Sequence, residues 1–150
     1  MPAGSWKVYG AALEAVNKGT IDLDTNTFRM VLCTSSYTPN QSTHSTWADA
    51  SAAEVSGTGY TASGKLLTCT VTRSSLVVTF DCDDQSWSTS TITAKYAIIV
   101  KDADANGTIA STDALVAYVD LETGGGSVST TAGTFAITIN ASGVFTATAA

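Results

Sequence analysis

The feature that most constrains this chain is a repeated alternation of apolar and polar residues. The clearest run extends from Ile92 to Val100, and a shorter one alternates threonines with Leu67, Cys69 and Val71. Residues with a period of two lie on opposite faces of a β-strand, so one face of each run can be buried. About seven such runs, separated by turn residues, predict an all-β fold. They start at Phe28, Leu67, Leu76, Ile92, Leu115, Phe135 and Val144.

Short strands at even spacing are typical of a single-domain antiparallel β-sandwich of the jelly-roll or immunoglobulin-like type. The chain has 150 residues, the size of one ordinary domain, and it contains no internal repeat and no linker. We therefore predict one domain over residues 1–150. A long loop rich in Ser, Thr, Gly and Ala is predicted over residues 34–64, with one short helical turn around residues 49–54. Loops of this length are usually functional or ordered by their neighbours.

A short N-terminal helix is predicted within residues 1–19. Apolar residues recur there at spacings of three and four, which places them on one helical face. Ser5 is the expected N-cap, and Gly19 is expected to end the helix because glycine tolerates a left-handed conformation. Glu14 and Lys18 are spaced for an ion pair on the outer side. The apolar residues of the helical face are Trp6, Tyr9, Leu13 and Val16.

Charge is scarce and hydroxyl groups are abundant. Charged residues make up only 13% of the chain, whereas 17 serines and 25 threonines place a small hydroxyl on 42 of the 150 residues. With 44% hydrophobic residues, the chain is too apolar for an intrinsically disordered protein. The net charge is −6, and a nucleic-acid partner is not expected because such binding needs a clustered positive surface. The composition predicts a β-rich protein with a hydroxyl-bearing surface.

Three cysteines, Cys33, Cys69 and Cys82, lie within apolar runs. We predict buried free thiols, because a free cysteine behaves as a small hydrophobic residue and an odd count does not complete a disulfide framework. The alternative is one disulfide and one unpaired thiol, since a hairpin would bring Cys69 near Cys82. The chain lacks the apolar core of a signal peptide, and its longest aliphatic block, Ala97–Val100, is too short for a membrane span. Synthesis in a reducing cytosol and no membrane partner are therefore expected.

Catalytic groups are poorly represented. The one histidine, His44, lies in a polar loop, where an exposed side chain is more common than a catalytic one. The neighbouring acids Asp81, Asp83 and Asp84 have no identifiable acidic partner for glycosidase chemistry. The stretch Gly57–Tyr60 lacks the strand-to-helix context of a phosphate-binding loop. We therefore predict that the protein is not an enzyme.

One stretch has the spacing of a calcium-binding loop. Oxygen-bearing residues stand at its positions 1, 3, 5 and 12, and Gly107 stands at position 6, where EF-hand loops turn sharply. The last position is an aspartate rather than a bidentate glutamate, and the flanking segments are predicted strands. The alternative is a polar hairpin loop in which these residues form the turn, and no other cofactor is expected. The candidate calcium ligands are Asp102, Asp104, Asn106, Thr108 and Asp113.

Aromatic residues of the predicted loops and helix are the candidate interface residues. Such side chains can stack on sugars, anchor a protein partner or cover the end of a sandwich. Protein contact or end packing is favoured here over sugar binding. The predicted interface residues are Trp6, Tyr9, Tyr37, Trp47, Tyr60 and Trp87.

Five stretches of the chain carry a recognisable pattern. The most specific is Glu54–Thr61, which reads Glu-Val-Ser-Gly-Thr-Gly-Tyr-Thr. The others are Trp6–Leu23, Phe28–Asn40, Asp84–Trp87 and Thr91–Ile99. Together they resemble small virion structural proteins of tailed bacteriophages. The resemblance covers most of the chain up to Leu121, and the acidic loop at residues 102–113 departs from it.

The resemblance implies a non-enzymatic structural component of a phage particle. It favours a capsid decoration, or cement, protein on the outer surface of the head, made in the host cytoplasm. The implied partners are the major capsid protein and further copies of the chain, as a homotrimer. The predicted helix and the 34–64 loop are the candidate contact segments. Low charge and Thr-rich strands suit dense packing of identical copies.

Two other functions remain open at this point. One is a tail- or fibre-associated module that binds a host surface glycan through Trp47, Trp87 and nearby loop hydroxyls, because loop aromatics can stack on sugar rings. The other is a calcium-dependent, adhesion-like module built on residues 102–113. A glycan array separates the first from a decoration protein, and calorimetry with calcium tests the second.

Overall fold

The computed structural model describes residues 3–150, and within that range it contains one α-helix and twelve β-strands. The helix, α1, comprises Gly10–Asn17. The strands are β1 (Lys7–Val8), β2 (Phe28–Cys33), β3 (Lys65–Leu67), β4 (Cys69–Ser74), β5 (Val77–Cys82), β6 (Gln85–Ser90), β7 (Thr93–Ala94), β8 (Tyr96–Lys101), β9 (Leu115–Asp120), β10 (Val128–Ser129), β11 (Gly133–Ile137) and β12 (Phe145–Thr148). The prediction of an all-β, sandwich-like fold with one short helix is confirmed.

All strand pairs are antiparallel. The largest sheet has five strands in the order β1-β9-β8-β2-β3, and a three-stranded sheet has the order β12-β5-β4. Two further pairs are β11 with β6 and β10 with β7. Because β6 follows β5 after two residues and β12 follows β11 after one turn, the β11–β6 pair extends the three-stranded sheet along the chain. The sandwich therefore consists of the five-stranded sheet on one side and this extended sheet on the other.

The core lies on both faces of the five-stranded sheet. On one face, Phe28 of β2 contacts Phe80 of β5, with ring centroids 5.6 Å apart. On the other face, Tyr118 of β9 contacts Tyr9 at the start of α1, with centroids 5.1 Å apart. Ala97–Val100 of β8 are completely buried between these two layers. Burial on both faces explains why this strand is an almost continuous apolar run.

The N-terminal segment differs from its prediction. The helix begins at Gly10 with Tyr9 as its N-cap, and Ser5 is not a cap. The preceding residues instead form β1, which pairs with β9. Pairing with an existing strand edge outweighs the helical spacing of the apolar residues, because each backbone group gains a partner there. Gly19 follows the helix with a φ of +74°, as predicted. The first two residues of the predicted range 1–19 lie outside the described residues.

The predicted ion pair on the outer side of the helix is present. Lys18 donates to the carboxylate of Glu14 one turn earlier, and both side chains are exposed. Exposed pairs of this spacing contribute only a few tenths of a kcal/mol. The helix is therefore held mainly by its buried side, where Ala12 packs into the core.

The strand predicted from Ile92 to Val100 is interrupted. Its first part is β7, which pairs with β10, and its second part is β8, which pairs with β2 and β9. The break falls at Lys95, whose N–H donates to the carbonyl of Cys33 at 2.8 Å. The Lys95 side chain is buried and pairs with Asp120 at 2.9 Å. Alternation alone does not show where a strand leaves one sheet for the next.

The cysteine prediction is wrong in its favoured form. Cys69 and Cys82 form a disulfide, and only Cys33 is a buried free thiol. The two bonded residues stand directly opposite each other in the β4–β5 hairpin, with Cα atoms 4.0 Å apart. Directly opposite cross-strand neighbours have their side chains close enough for such a bond. The alternative of one disulfide and one unpaired thiol is therefore correct.

The long segment 34–64 is ordered by its neighbours. Two 3-10 turns, Trp47–Asp49 and Ser51–Ala53, replace the single helical turn predicted around residues 49–54. Asp49 and Thr46 form a capping box at the first turn. The N–H of Trp47 donates to the carbonyl of Asp113 at 2.8 Å, which ties the segment to the start of β9. The loop is a structured covering of the five-stranded sheet.

Candidate functional site

The acidic loop between β8 and β9 is held by its own carboxylates. Asp102 is buried and accepts hydrogen bonds from the N–H groups of Asn106 at 3.3 Å and Gly107 at 3.1 Å. Asp113 is buried at the other end of the loop and accepts from the N–H groups of Ala103 at 3.3 Å and Ala110 at 2.8 Å. All four bonds join a carboxylate oxygen to the loop backbone. This is the arrangement of a turn-forming aspartate.

The remaining candidate calcium ligands do not join these two aspartates. Asn106 accepts from the N–H and the hydroxyl of Thr108, and Asp104 is exposed. Across residues 3–150, no group of three or more His, Cys, Asp or Glu side chains is placed to hold a metal ion. The carboxylates of Asp102 and Asp113 take part in the backbone turns that the hairpin alternative describes, and calcium binding stays a prediction.

A test separates these two roles of the loop. We expect Asp113→Asn to lower the free energy of unfolding by about 1–3 kcal/mol. The substitution replaces one carboxylate oxygen by an amide nitrogen, so one backbone N–H group of the loop loses its acceptor. The loss should be the same with millimolar calcium and with a chelator, in denaturation followed by circular dichroism. Asp104→Asn, at an exposed position, is the control with little expected effect. Calorimetric heat of calcium binding that disappears in Asp113→Asn would contradict the expectation.

Four of the six predicted interface aromatics are buried in the chain's own core. Tyr9, Tyr37, Trp47 and Trp87 are at most 4% exposed, whereas Trp6 and Tyr60 are half-buried. The structure corrects the interface prediction at the four buried positions, because these rings offer no surface to a partner. These rings instead belong to the hydrophobic core of the chain.

Trp87 also lies in a strand and not in a loop. It belongs to β6, where it contacts Phe135 at 6.2 Å between ring centroids and Tyr60 at 6.0 Å. The serines on both sides of Trp87 alternate with it, and this was the available signal for a strand. The polar appearance of residues 83–90 arises because the other face of β6 is exposed.

A chain of hydrogen bonds joins the helix to the long loop. The hydroxyls of Tyr9 and Tyr37 lie 2.8 Å apart, and the Tyr37 hydroxyl lies 2.9 Å from Nδ1 of His44. The N–H of Asn40 donates to the same nitrogen at 3.3 Å. Burial raises the pKa of Tyr37 to about 12 and raises that of Tyr9 further, so both hydroxyls stay neutral. The one histidine is therefore part of a structural network.

A second network fixes residues 54–64 against β2. The carboxylate of Glu54 accepts from the Tyr60 hydroxyl at 3.0 Å and from the N–H of Ser63 at 2.6 Å. The Tyr60 oxygen in turn accepts from the N–H of Leu32 at 3.1 Å. Burial is the main reason that the pKa of Tyr60 is raised. The stretch Glu54–Thr61, which looked most specific in the sequence, thus has a defined structural role.

One face of the three-stranded sheet is open and rich in hydroxyls. Phe80 and Cys82 of β5 point into the core, so the alternate residues of the sheet point outward. Thr72, Thr79 and Thr146 lie side by side in register across this outer face. We call it the threonine face; its members are Thr70, Thr72, Ser74, Val77, Thr79, Asp81, Thr146 and Thr148. It carries one carboxylate and no basic side chain.

A cleft of about 710 Å³ opens between the two sheets. Its walls are the N-terminal segment Ala3–Trp6 and the residues Phe135–Ile137 of β11 with the following Thr138, and Val119 and Leu121 also line it. Its volume falls within the range of small-molecule and peptide sites. Trp6, one of the six predicted interface residues, is thus the one placed at a cleft wall.

Comparison with known proteins finds no relative of this chain. The chain matches no protein-family profile, and no curated protein or solved structure is significantly similar to it. No helix within residues 3–150 is long and apolar enough to cross a membrane. A functional assignment therefore starts from the residues and surfaces described above.

Proposed function

We propose that this protein is a non-enzymatic decoration, or cement, protein that binds the outer surface of a tailed-phage head. The proposal starts from the resemblance of stretches such as Glu54–Thr61 to small virion structural proteins. Its partners would be the major capsid protein and further copies of the chain in a homotrimer. The chain would be made in the host cytoplasm and reside on the capsid surface.

The observation that best supports this function is the threonine face. A decoration protein makes the same contact many times on one lattice, so contacts that are weak singly add through multivalency. Aligned hydroxyls can donate and accept hydrogen bonds, and they cause no repulsion between neighbouring copies. A flat sheet face with a single carboxylate, Asp81, therefore suits a crowded surface better than a charged face does.

The structure changes which surface is the better candidate for contact with the shell. The predicted contact segments were the N-terminal helix and the 34–64 loop. Tyr9 and Ala12 of the helix region are buried, and β1 is part of the five-stranded sheet. Deletion of residues 1–18 would therefore remove core and strand together and would not test binding alone. On the helix, Leu13 is 54% exposed and offers a surface position for comparison.

The test compares charges placed on two surfaces of the folded chain. We expect Thr72→Lys combined with Thr146→Lys to reduce occupancy on purified phage heads by about tenfold or more, because two ammonium groups would be desolvated at the contact. Leu13→Lys, which adds a charge on the helix, should bind like the wild type. Occupancy is measured by immunogold labelling and by quantitative electrophoresis of particles, with circular dichroism as the check on folding.

Each outcome bears on a different part of the proposal. Wild-type protein that is absent from intact heads would overturn the decoration function, and labelling confined to tails would favour the tail-associated alternative. Normal occupancy of the threonine-face variant together with loss in Leu13→Lys would move the contact to the helix. The glycan alternative is less well supported, because its two proposed aromatic residues, Trp47 and Trp87, are buried and present no ring face to a sugar. Specific binding of the wild type on a glycan array would restore it.

A further inference from the structure

The cleft between the sheets is bounded by strand edges. Four consecutive residues of β11 and its extension, Phe135–Thr138, line one wall, and four consecutive residues, Ala3–Trp6, line the other. A strand that presents its face to a cavity contributes only alternate residues, whereas a strand seen from its edge contributes consecutive ones. Val119 of β9 and Leu121, just after this strand, follow the first pattern and also line the cleft. The β11 wall is therefore a strand edge, and the other wall is the segment that leads into the edge strand β1.

These two edges lack a strand partner within residues 3–150. β1 ends the five-stranded sheet, and β11 ends its pair with β6. The N–H of Gly4 donates to the carbonyl of Asp120 at 2.7 Å, so the N-terminal segment uses one edge to bind β9. Farther along, the Gln41 side chain donates to the carbonyl of Val8 at 2.6 Å and covers that end of the open edge. Within residues 3–150, no side chain donates to the carbonyls of Ala3–Trp6 in this way.

The lining of the cleft is uncharged. None of its fifteen residues is Asp, Glu, Lys, Arg or His, although the chain as a whole has a net charge of −6. Phe135 and Ile137 supply apolar surface, and Ser142 supplies a hydroxyl. A charged occupant would lose its hydration there without gaining a partner. The site therefore fits an uncharged chain with apolar side chains at alternate positions.

We infer that this cleft accepts an extended, uncharged strand from a different protein, which completes the open side of the sandwich. Unpaired strand edges commonly bind a peptide in this way, through backbone hydrogen bonds and pockets for alternate side chains. A second copy of this chain is a poor donor, because all twelve strands within its residues 3–150 already pair within the chain. That the donor belongs to the phage shell rests on the proposed function; the acceptor site itself does not.

The experiment supplies the strand within the same chain. A six-residue strand of alternating threonine and valine is fused to the N-terminus through a Gly/Ser linker of about ten residues, which spans about 17 Å on average. The N-terminal segment lines the cleft, so the strand is held at high effective concentration. We expect the unfolding midpoint to rise by about 5 °C. The quenching of Trp6 fluorescence by acrylamide is obtained as the difference between the fusion and its Trp6→Phe variant. This quenching should fall because the added strand covers the Trp6 ring.

Two matched fusions make the result specific. A strand with proline at the three valine positions cannot donate those backbone hydrogen bonds, and a strand with lysine there brings charge into the uncharged cleft. Neither should raise the midpoint or protect Trp6. Equal stabilisation by the proline strand would overturn strand pairing, and equal stabilisation by the lysine strand would overturn the neutral occupant. If the wild type self-associates and the fused threonine–valine strand abolishes this association, the cleft binds a second copy of the chain. That result would overturn the inference that the strand comes from a different protein.

Discussion

Replacement of Gly64 by alanine is expected to lower the free energy of unfolding by about 2–5 kcal/mol. Gly64 has a φ of +60°, in the left-handed region, where a residue with a side chain is strained by about 1–2 kcal/mol. An added Cβ would also lie 1.9 Å from the carbonyl oxygen of Met30 in β2. Relieving that overlap moves the backbone of a fully buried strand, at a cost of about 1–3 kcal/mol. The two penalties act together in one variant.

A matched glycine isolates the steric part of this effect. Gly19 has a φ of +74°, but a Cβ there would have no atom within 4 Å. Gly19→Ala should therefore cost about 1–2 kcal/mol, from backbone strain alone. Urea denaturation of both variants, followed by fluorescence and circular dichroism, gives the comparison. Equal losses in the two variants would contradict the close approach of Gly64 to β2.

The segment around Gly64 is also where the long loop is joined to the core. Arg29 of β2 donates to the carbonyl of Ser63 at 2.8 Å and to that of Gly64 at 3.0 Å. Displacing Gly64 would break these bonds and disturb the adjacent carboxylate network of Glu54. Proteolysis of Gly64→Ala should consequently begin within residues 54–64, because local opening exposes that segment first.

Removal of the disulfide is expected to lower the free energy of unfolding by about 2–3 kcal/mol and to leave the fold intact. The bond closes a loop with a sequence separation of 13, and a loop of that length restricts the unfolded chain by about 3 kcal/mol. The β4–β5 hairpin keeps its backbone register without the bond, because its pairing extends from Cys69–Cys82 to Ser74–Val77. Cys69→Ala combined with Cys82→Ala tests this in urea denaturation.

The reductant provides the control for this prediction. Dithiothreitol should destabilise the wild type by the same amount as the double substitution, and it should leave the double variant unchanged. Thiol titration gives a second measurement. Burial raises the pKa of the Cys33 thiol to about 12, so the thiol should not react in the native protein. One thiol should react after denaturation and three after reduction; three before reduction would contradict the disulfide.

The strand content of the chain followed from local patterns. Residues of β2, β4, β5 and β9 alternate or form apolar runs within six-residue windows, so the sequence was sufficient to locate them. The failures occurred where a long-range partner decided the outcome. The segment before Gly10 has helical spacing but pairs with β9, more than one hundred residues away along the chain. Trp87 lies in a polar stretch but is buried by Phe135 and Tyr60.

The candidate surfaces show the same division. The turn-forming aspartates of residues 102–113 were identifiable as a loop from their spacing, but their burial and their backbone partners were not. The threonine face depends on the register that brings Thr72, Thr79 and Thr146 together from three strands. The cleft depends on the N-terminal segment and β11, which line the same surface although they are far apart along the chain. Neither surface has a signature in any short window of residues.

The sequence by itself determined the all-β class, the positions of most strands and the low charge of the surface, because alternation and composition are local properties. Only the tertiary structure decided which cysteines are bonded, which aromatic rings are buried and where a strand edge stays open. The physical reason is that these features arise from pairs such as Tyr9 with Tyr37, or Arg29 with Ser63, which are 28 and 34 residues apart. Their meeting is set by strand order and register, and these follow from the packing of the whole chain.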